Sequence, residues 1–171
     1  MSGIGHLAAG FAGKTVAPEA PLWAYLVASE TNDLLYFVFS STGVEPKAVT
    51  TMNFTDGVRY LTLVSNPWSH GLFMSVVWSA LVAALVFGVY RNARIGVLFG
   101  LAVFSHWLLD LLMHSNLPLF FEGSPQIGLG LENSGAGFVF ITVFDLAILA
   151  GGIFIYLRAK RQSKSAAKEI Q

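Results

Sequence analysis

No cysteine occurs anywhere in this chain of 171 residues. Disulfides, thiolate zinc sites and cysteine nucleophiles are therefore excluded. Charge is scarce as well: Asp, Glu, Lys and Arg make up 12% of the sequence, against about 25% in a soluble domain. That is too little to coat a water-facing surface. Acidic and basic residues balance at ten each, which leaves no electrostatic argument for nucleic acid as a partner. The start, Met1-Ser2-Gly3-Ile4-Gly5-His6, lacks the basic n-region of a signal peptide, so the first helix is expected to stay in the mature protein. What fills the chain is apolar: 54% hydrophobic residues and a mean hydropathy of +0.63. A polytopic membrane protein of one domain is the class these numbers describe.

Three segments read as membrane spans: Trp68–Tyr90, Ile95–Leu117 and Gly137–Leu157. Each approaches the ~20 residues needed to cross the hydrocarbon core. Leu22–Ser41 reads as a fourth, interrupted by Glu30, Thr31, Asn32 and Asp33. Ile4–Val16 is shorter, contains His6 and Lys14, and reads as a short span. The expected fold is all-α: a polytopic membrane helix bundle of four long transmembrane helices plus a short N-terminal helix. It forms one membrane-embedded domain over residues 1–157, with a polar basic tail over 158–171. Pro18 and Pro21 separate the first two helices, and Asn66 with Pro67 reads as N-cap and N1 of the third. Pro118 closes the fourth, and a Gly-rich loop precedes the last.

Basic residues set an expected orientation. With the Arg91–Arg94 turn and the C-terminal tail in the cytoplasm, Lys14, Arg91, Arg94, Arg158, Lys160, Arg161, Lys164 and Lys168 all lie inside. Only Lys47 and Arg59 then lie outside. This arrangement brings His6, Asp33, His70, His106, Asp110, His114 and Asp145 to similar depth in the outer half of the membrane. They would share a layer roughly 10–15 Å thick at 1.5 Å rise per residue.

The chemistry is concentrated in the four histidines. His106, Asp110 and His114 follow one another at i, i+4 and i+8, so a helix sets all three on one face. Ionisable groups in an apolar helix are expensive and usually functional. Neutral imidazole and carboxylate are ligands for zinc, and also suit manganese and iron. His6, Asp33 and His70 could complete a shell around the His106–Asp110–His114 stripe. Six candidate ligands exceed the need of one tetrahedral ion, so either two ions bind or some groups act behind the ligands or as acid and base. Asp33 or Asp145 is the candidate general base. Three functions use such a set: a metal-dependent hydrolase, a transporter moving metal ions or protons, and a non-catalytic membrane protein with a structural metal. The inner halves of the later helices offer little besides Ser79 to continue a polar path, which favours the first and third.

These residues also resemble a known pattern. The chain carries Gly5-His6 near its start, Asn32-Asp33 in the second helix and Ser69-His70-Gly71 opening the third. It carries Ser105-His106-Trp107-Leu108-Leu109-Asp110 with a later His114, then Pro118-Leu119 and Gly128-Leu129-Gly130-Leu131-Glu132-Asn133-Ser134. In this it resembles the bacterial inner-membrane family of membrane-bound metal-dependent hydrolases, which includes a LexA-regulated member. That family is distantly similar to zinc-dependent phospholipase C and P1-type nucleases. The resemblance covers the chain to about residue 157. It implies metal ligation by His6, Asp33, His70, His106, Asp110 and His114, with zinc as the ion, and a phosphodiester or lipid-linked substrate at the outer face of a bacterial inner membrane. The chain departs from the family pattern in three places. Asn32 replaces a proline, Gly71 replaces a serine and Glu132 replaces a tryptophan.

Overall fold

The computed structural model describes residues 3–47, 49–52, 59–62 and 65–169. It is mostly helical. A 3-10 turn over Gly3–His6 leads into α1 (Leu7–Val16), followed by α2 (Leu22–Ser29) and α3 (Thr31–Thr42). A short antiparallel pair, β1 (Val49–Met52) with β2 (Arg59–Thr62), precedes α4 (Pro67–His70), α5 (Leu72–Tyr90) and α6 (Ala93–Met113). A second minimal pair joins β3 (Leu117–Pro118) to β4 (Gln126–Ile127), and α7 (Gly135–Glu169) ends the described chain.

Among the described residues three helices are long and apolar enough to cross a membrane, and they lie in α5, α6 and α7. In α6 half of the apolar window is buried inside the protein, against 11% in α5 and 17% in α7. Thus α6 is the central helix and its neighbours present apolar faces outward. Asn92 starts α6 by accepting from the backbone N–H groups of Arg94 and Ile95, the usual N-cap service. The antiparallel contact of α5 with α6 depends on small residues. A Cβ on Gly96 would sit 2.7 Å from the Ala83 carbonyl oxygen, and one on Gly100 would sit 2.9 Å from that of Ser79. Small residues allow such close backbone approach between helices in lipid.

Several expected spans are interrupted. Leu22–Ser41 is not one helix: it breaks at Glu30, whose backbone leaves the helical region (φ −102°, ψ 10°). The polar run from Glu30 to Asp33 has no apolar face to bury, and the break frees the Ser29 carbonyl for a side-chain donor. The span expected over Trp68–Tyr90 breaks at Gly71, which is extended. Its two pieces are α4 and α5, and any Cβ at Gly71 would strike the Pro67 carbonyl oxygen at 2.4 Å. The helix expected to reach Leu117 stops at Met113, and His114 is its extended C-cap. Conversely α7 does not end at Leu157 but continues through Glu169, carrying most of the basic tail as helix.

The apolar core lies on one side of these interruptions. Ala17, Ala20, Tyr25, Ala28, Ile95, Phe99, Ala102 and Val103 pack together, with Trp78, Val82 and Val86 against them. The Tyr25 and Phe99 rings meet at 4.1 Å, and the Tyr25 hydroxyl donates to the Ala17 carbonyl at 3.1 Å. On α6 this cluster occupies the residues before His106, so it closes off the space beneath the histidines. Replacing Gly100 with Val should force α5 and α6 apart and lower stability by about 1–3 kcal/mol, the usual cost of overpacking. The unfolding midpoint in detergent measures this, and an unchanged midpoint would contradict the close packing.

Candidate metal centre

Asp110 sits on the buried face of α6, 4% exposed, and its two oxygens face four imidazoles. Oδ1 lies 3.5 Å from His6 Nε2 and 3.6 Å from His114 Nε2. Oδ2 lies 3.5 Å from both His70 Nε2 and His106 Nε2. A second carboxylate closes the arrangement: Asp33 Oδ1 is 3.3 Å from His70 Nε2 and 3.6 Å from His106 Nε2. Two triads, His6–His106–Asp110 and Asp33–His70–His106, each bring three ligand atoms within 4.8 Å of one another.

Four separate pieces of chain supply these groups. The N-terminal 3-10 turn brings His6, the start of α3 brings Asp33, α4 brings His70, and α6 with its C-cap brings His106, Asp110 and His114. Gly5 lets the first turn enter closely, since a Cβ there would lie 2.6 Å from Asp145 Oδ1. The structure therefore draws together all six expected ligand residues. Asp145 belongs to neither triad and lies buried against Gly5, the residue before His6.

The far side of each ring decides which nitrogen carries the proton. His106 Nδ1 lies 2.9 Å from the Ser29 carbonyl oxygen. A carbonyl only accepts, so Nδ1 is the protonated nitrogen and Nε2 of the neutral ring is a lone pair. His114 Nδ1 donates to Glu132 Oε1 at 2.6 Å in the same way. The Ser69 hydroxyl donates to Glu45 Oε2 at 2.6 Å, which leaves it to accept from His70 Nδ1 at 2.8 Å. Three rings are thus held with Nε2 aimed at the carboxylates. Such outer acceptors orient ligating histidines and fix their tautomer.

Lone pairs facing carboxylates need something positive between them. His106 Nε2 and Asp110 Oδ2 are both buried without a hydrogen-bond partner among the described residues. Separations of 3.3–3.6 Å are long for charge-assisted hydrogen bonds, which run about 2.7–2.9 Å. They match the spacing of two ligands on one ion: with bonds of about 2.0–2.1 Å, tetrahedral neighbours stand about 3.3–3.4 Å apart. Protonating every imidazole is a poor alternative. The His6 and His106 rings stack at 3.7 Å with an 11° tilt, which would set two like charges face to face. The donor set and its spacing fit a divalent cation.

Access is one-sided. Side-chain exposure is 1–13% for the four histidines and 5% for Asp110, but 48% for Asp33. Asp33 is the open edge.

Sequence reasoning overlooked Glu45, Ser69, Glu132 and the Ser29 carbonyl. Glu45 is 2% exposed and serves the start of α4, where Oε1 accepts from the backbone N–H groups of Trp68 at 2.7 Å and Ser69 at 2.9 Å. The expected cap, Asn66, makes no side-chain cap bond, although Pro67 does occupy the first turn. The available signal was the scarcity of acids: each one in so apolar a chain needs a reason. Glu132 could have been found through its place next to the glycine turn that wraps the end of α6. There Gly130 N–H reaches the His114 carbonyl at 3.1 Å.

Comparison with protein-family models, curated proteins and solved structures finds no match. The residues and their geometry carry the functional reading. Glu45→Ala should leave the backbone N–H groups of Trp68 and Ser69 and the Ser69 hydroxyl proton without their acceptor and cost about 1–3 kcal/mol. A thermal midpoint equal to the parent chain would show that Glu45 does not anchor α4.

Proposed function

We propose that the chain is a membrane-embedded metal-dependent hydrolase that acts on a phosphodiester or lipid-linked substrate at the outer face of a bacterial inner membrane. One observation carries the metal: the buried lone pairs of His106 Nε2 and Asp110 Oδ2, 3.5 Å apart, with no proton donor between them among the described residues. His6, Asp33, His70, His106, Asp110 and His114 would hold one or two ions. Imidazole and carboxylate in near-tetrahedral spacing favour zinc. Asp110 can serve two ions because each of its oxygens faces its own pair of imidazoles. A bound divalent ion supplies Lewis acidity and lowers the pKa of water to about 7.

The chain's own groups supply the rest. Asp33 borders the open side and can take a proton from an attacking water while its other oxygen stays with His70 and His106. Asp145 is the alternative base, set behind Gly5. The outer acceptors Glu45, Glu132 and Ser29 hold the imidazoles with Nδ1 outward and Nε2 aimed at the centre. The resemblance to the metal-dependent hydrolase family and its phospholipase C-like relatives supports phosphodiester hydrolysis over other reactions. The apolar cluster from Ile95 to Val103 argues against a transporter. Among the described residues it lines α6 before His106 with packed apolar side chains.

In the bilayer, α2 and α3 together would form a fourth, broken span. Such a break is tolerated where the freed backbone is buried in protein, and here the Ser29 carbonyl serves His106. The basic tail and the Arg91–Arg94 turn would lie in the cytoplasm.

Metal analysis of the purified chain should find at least one zinc per molecule, with most of it lost in His106→Ala and Asp110→Asn. Metal near zero in the parent as well as in both variants would sink the reading. Orientation is open to single-cysteine labelling, because the chain has no cysteine of its own. A membrane-impermeant thiol reagent should modify Glu122→Cys in intact cells and Ser163→Cys only after lysis. The reverse pattern would invert the topology.

A further inference from the structure

Glu30 belongs to neither ligand triad, yet its Oε1 is buried with no hydrogen-bond partner among the described residues. It occupies the break between α2 and α3, ending one helix and preceding the other. An acceptor side chain at such a position commonly takes a hydrogen bond from the first turn of the next helix. That of Glu30 makes no cap bond, so the carboxylate does not serve the helix start. What surrounds it is the centre. The charges that act on the Glu30 carboxylate are those of His106, then His6, then Asp33 and Asp110. All four are ligand residues of the triads, and no lysine or arginine is among them.

The neighbouring contacts explain this proximity. The Ser29 carbonyl, one residue earlier, accepts from His106 Nδ1 at 2.9 Å. Asp33 Oδ1, one turn later, lies 3.6 Å from His106 Nε2. The His6 ring stacks on that of His106 at 3.7 Å. Glu30 lies in the chain between the two contacts to His106, so its charge reaches the stacked pair. A carboxylate oxygen buried without a donor or a cation is costly. Asp33 and Asp110 carry the same sign and add to that cost. A divalent ion among the ligands reverses it, because the ion attracts the carboxylate that its ligands repel. We propose that Glu30 is an outer counter-charge of the metal centre, which tightens ion binding without ligating the ion. This rests on the reading of the centre as a metal site and adds a determinant of its affinity. The same carboxylate is then a burden to the empty centre and an asset to the loaded one, a pair of opposite effects that a merely structural residue would not show.

The test uses the full chain in a non-ionic detergent. Zinc is titrated in competition with a chelator of known affinity, and the thermal midpoint is read with and without zinc. Glu30→Gln keeps the shape of the side chain and removes only its charge. Its zinc affinity should fall about 10–100-fold, as for loss of a partner behind the ligands. Its midpoint without zinc should be no lower than that of the parent. Glu30→Asp keeps the charge and should bind zinc more tightly than Glu30→Gln does. The proposal is overturned if Glu30→Gln binds zinc as the parent does, if it melts below the parent in the absence of zinc, or if the two variants are weakened alike. Parent-level binding in Glu30→Gln would remove the role of Glu30 and leave the metal reading standing. A parent chain that binds no zinc would remove both.

Discussion

A single carboxylate, Asp110, organises the end of this molecule where the helices are interrupted. It is buried on the central helix, and a buried unpaired charge costs several kcal/mol in a protein interior. Four imidazole nitrogens surround it at 3.5–3.6 Å, and a divalent ion shared with them would meet that cost. His106 reaches it from one turn earlier on the same helix, but the other three approach only where the regular helical path changes. The entry of His6 needs the tight first turn against Asp145. The approach of His70 needs the break at Gly71. His114 reaches back to Asp110 from the residue that caps α6. The break at Glu30 puts Asp33 on the histidines and releases the Ser29 carbonyl to His106 Nδ1. The interruptions in otherwise apolar segments thus converge on one place.

A shell of acceptors then gives the imidazoles a common sense. A backbone carbonyl, a carboxylate, and a serine relaying a second carboxylate hold three Nδ1 atoms on the outside. Each leaves Nε2 pointing inward as a lone pair. The carboxylates in this shell also stabilise the chain that carries them. Glu45 caps α4 while it fixes Ser69, and Glu132 ties the glycine-rich turn to the end of α6. Orientation of the site and local folding therefore share the same bonds. Beneath them the Tyr25–Phe99 cluster packs the bundle, and Asp33 has the most exposed side chain of the six residues around the centre.

Much of this was legible in the residues. The low charge and long apolar runs point to a membrane protein. The spacing of His106, Asp110 and His114 marks one helix face, and the positions of His6, Asp33 and His70 near span ends suggest a common depth. Helix interruption was less legible, because hydropathy averages over a window and cannot see one extended residue such as Gly71. The scarcity of acids marks Glu45 and Glu132 as residues needing a reason, but which groups they and Ser69 serve was not legible. Their roles depend on partners as far as 24 residues away in sequence.

What the sequence by itself determined is the inventory: apolar helices of spanning length, no thiol, and a small set of imidazoles and acids spaced to share a face or a depth. Periodicity and transfer free energy are local properties, so they can be read from order alone. Only the tertiary structure decided which nitrogen of each histidine faces inward and which side of the centre is open. Those outcomes depend on close approach between segments distant in sequence. A hydrogen bond forms or fails over a few tenths of an ångström, and residue order carries no distance at that scale.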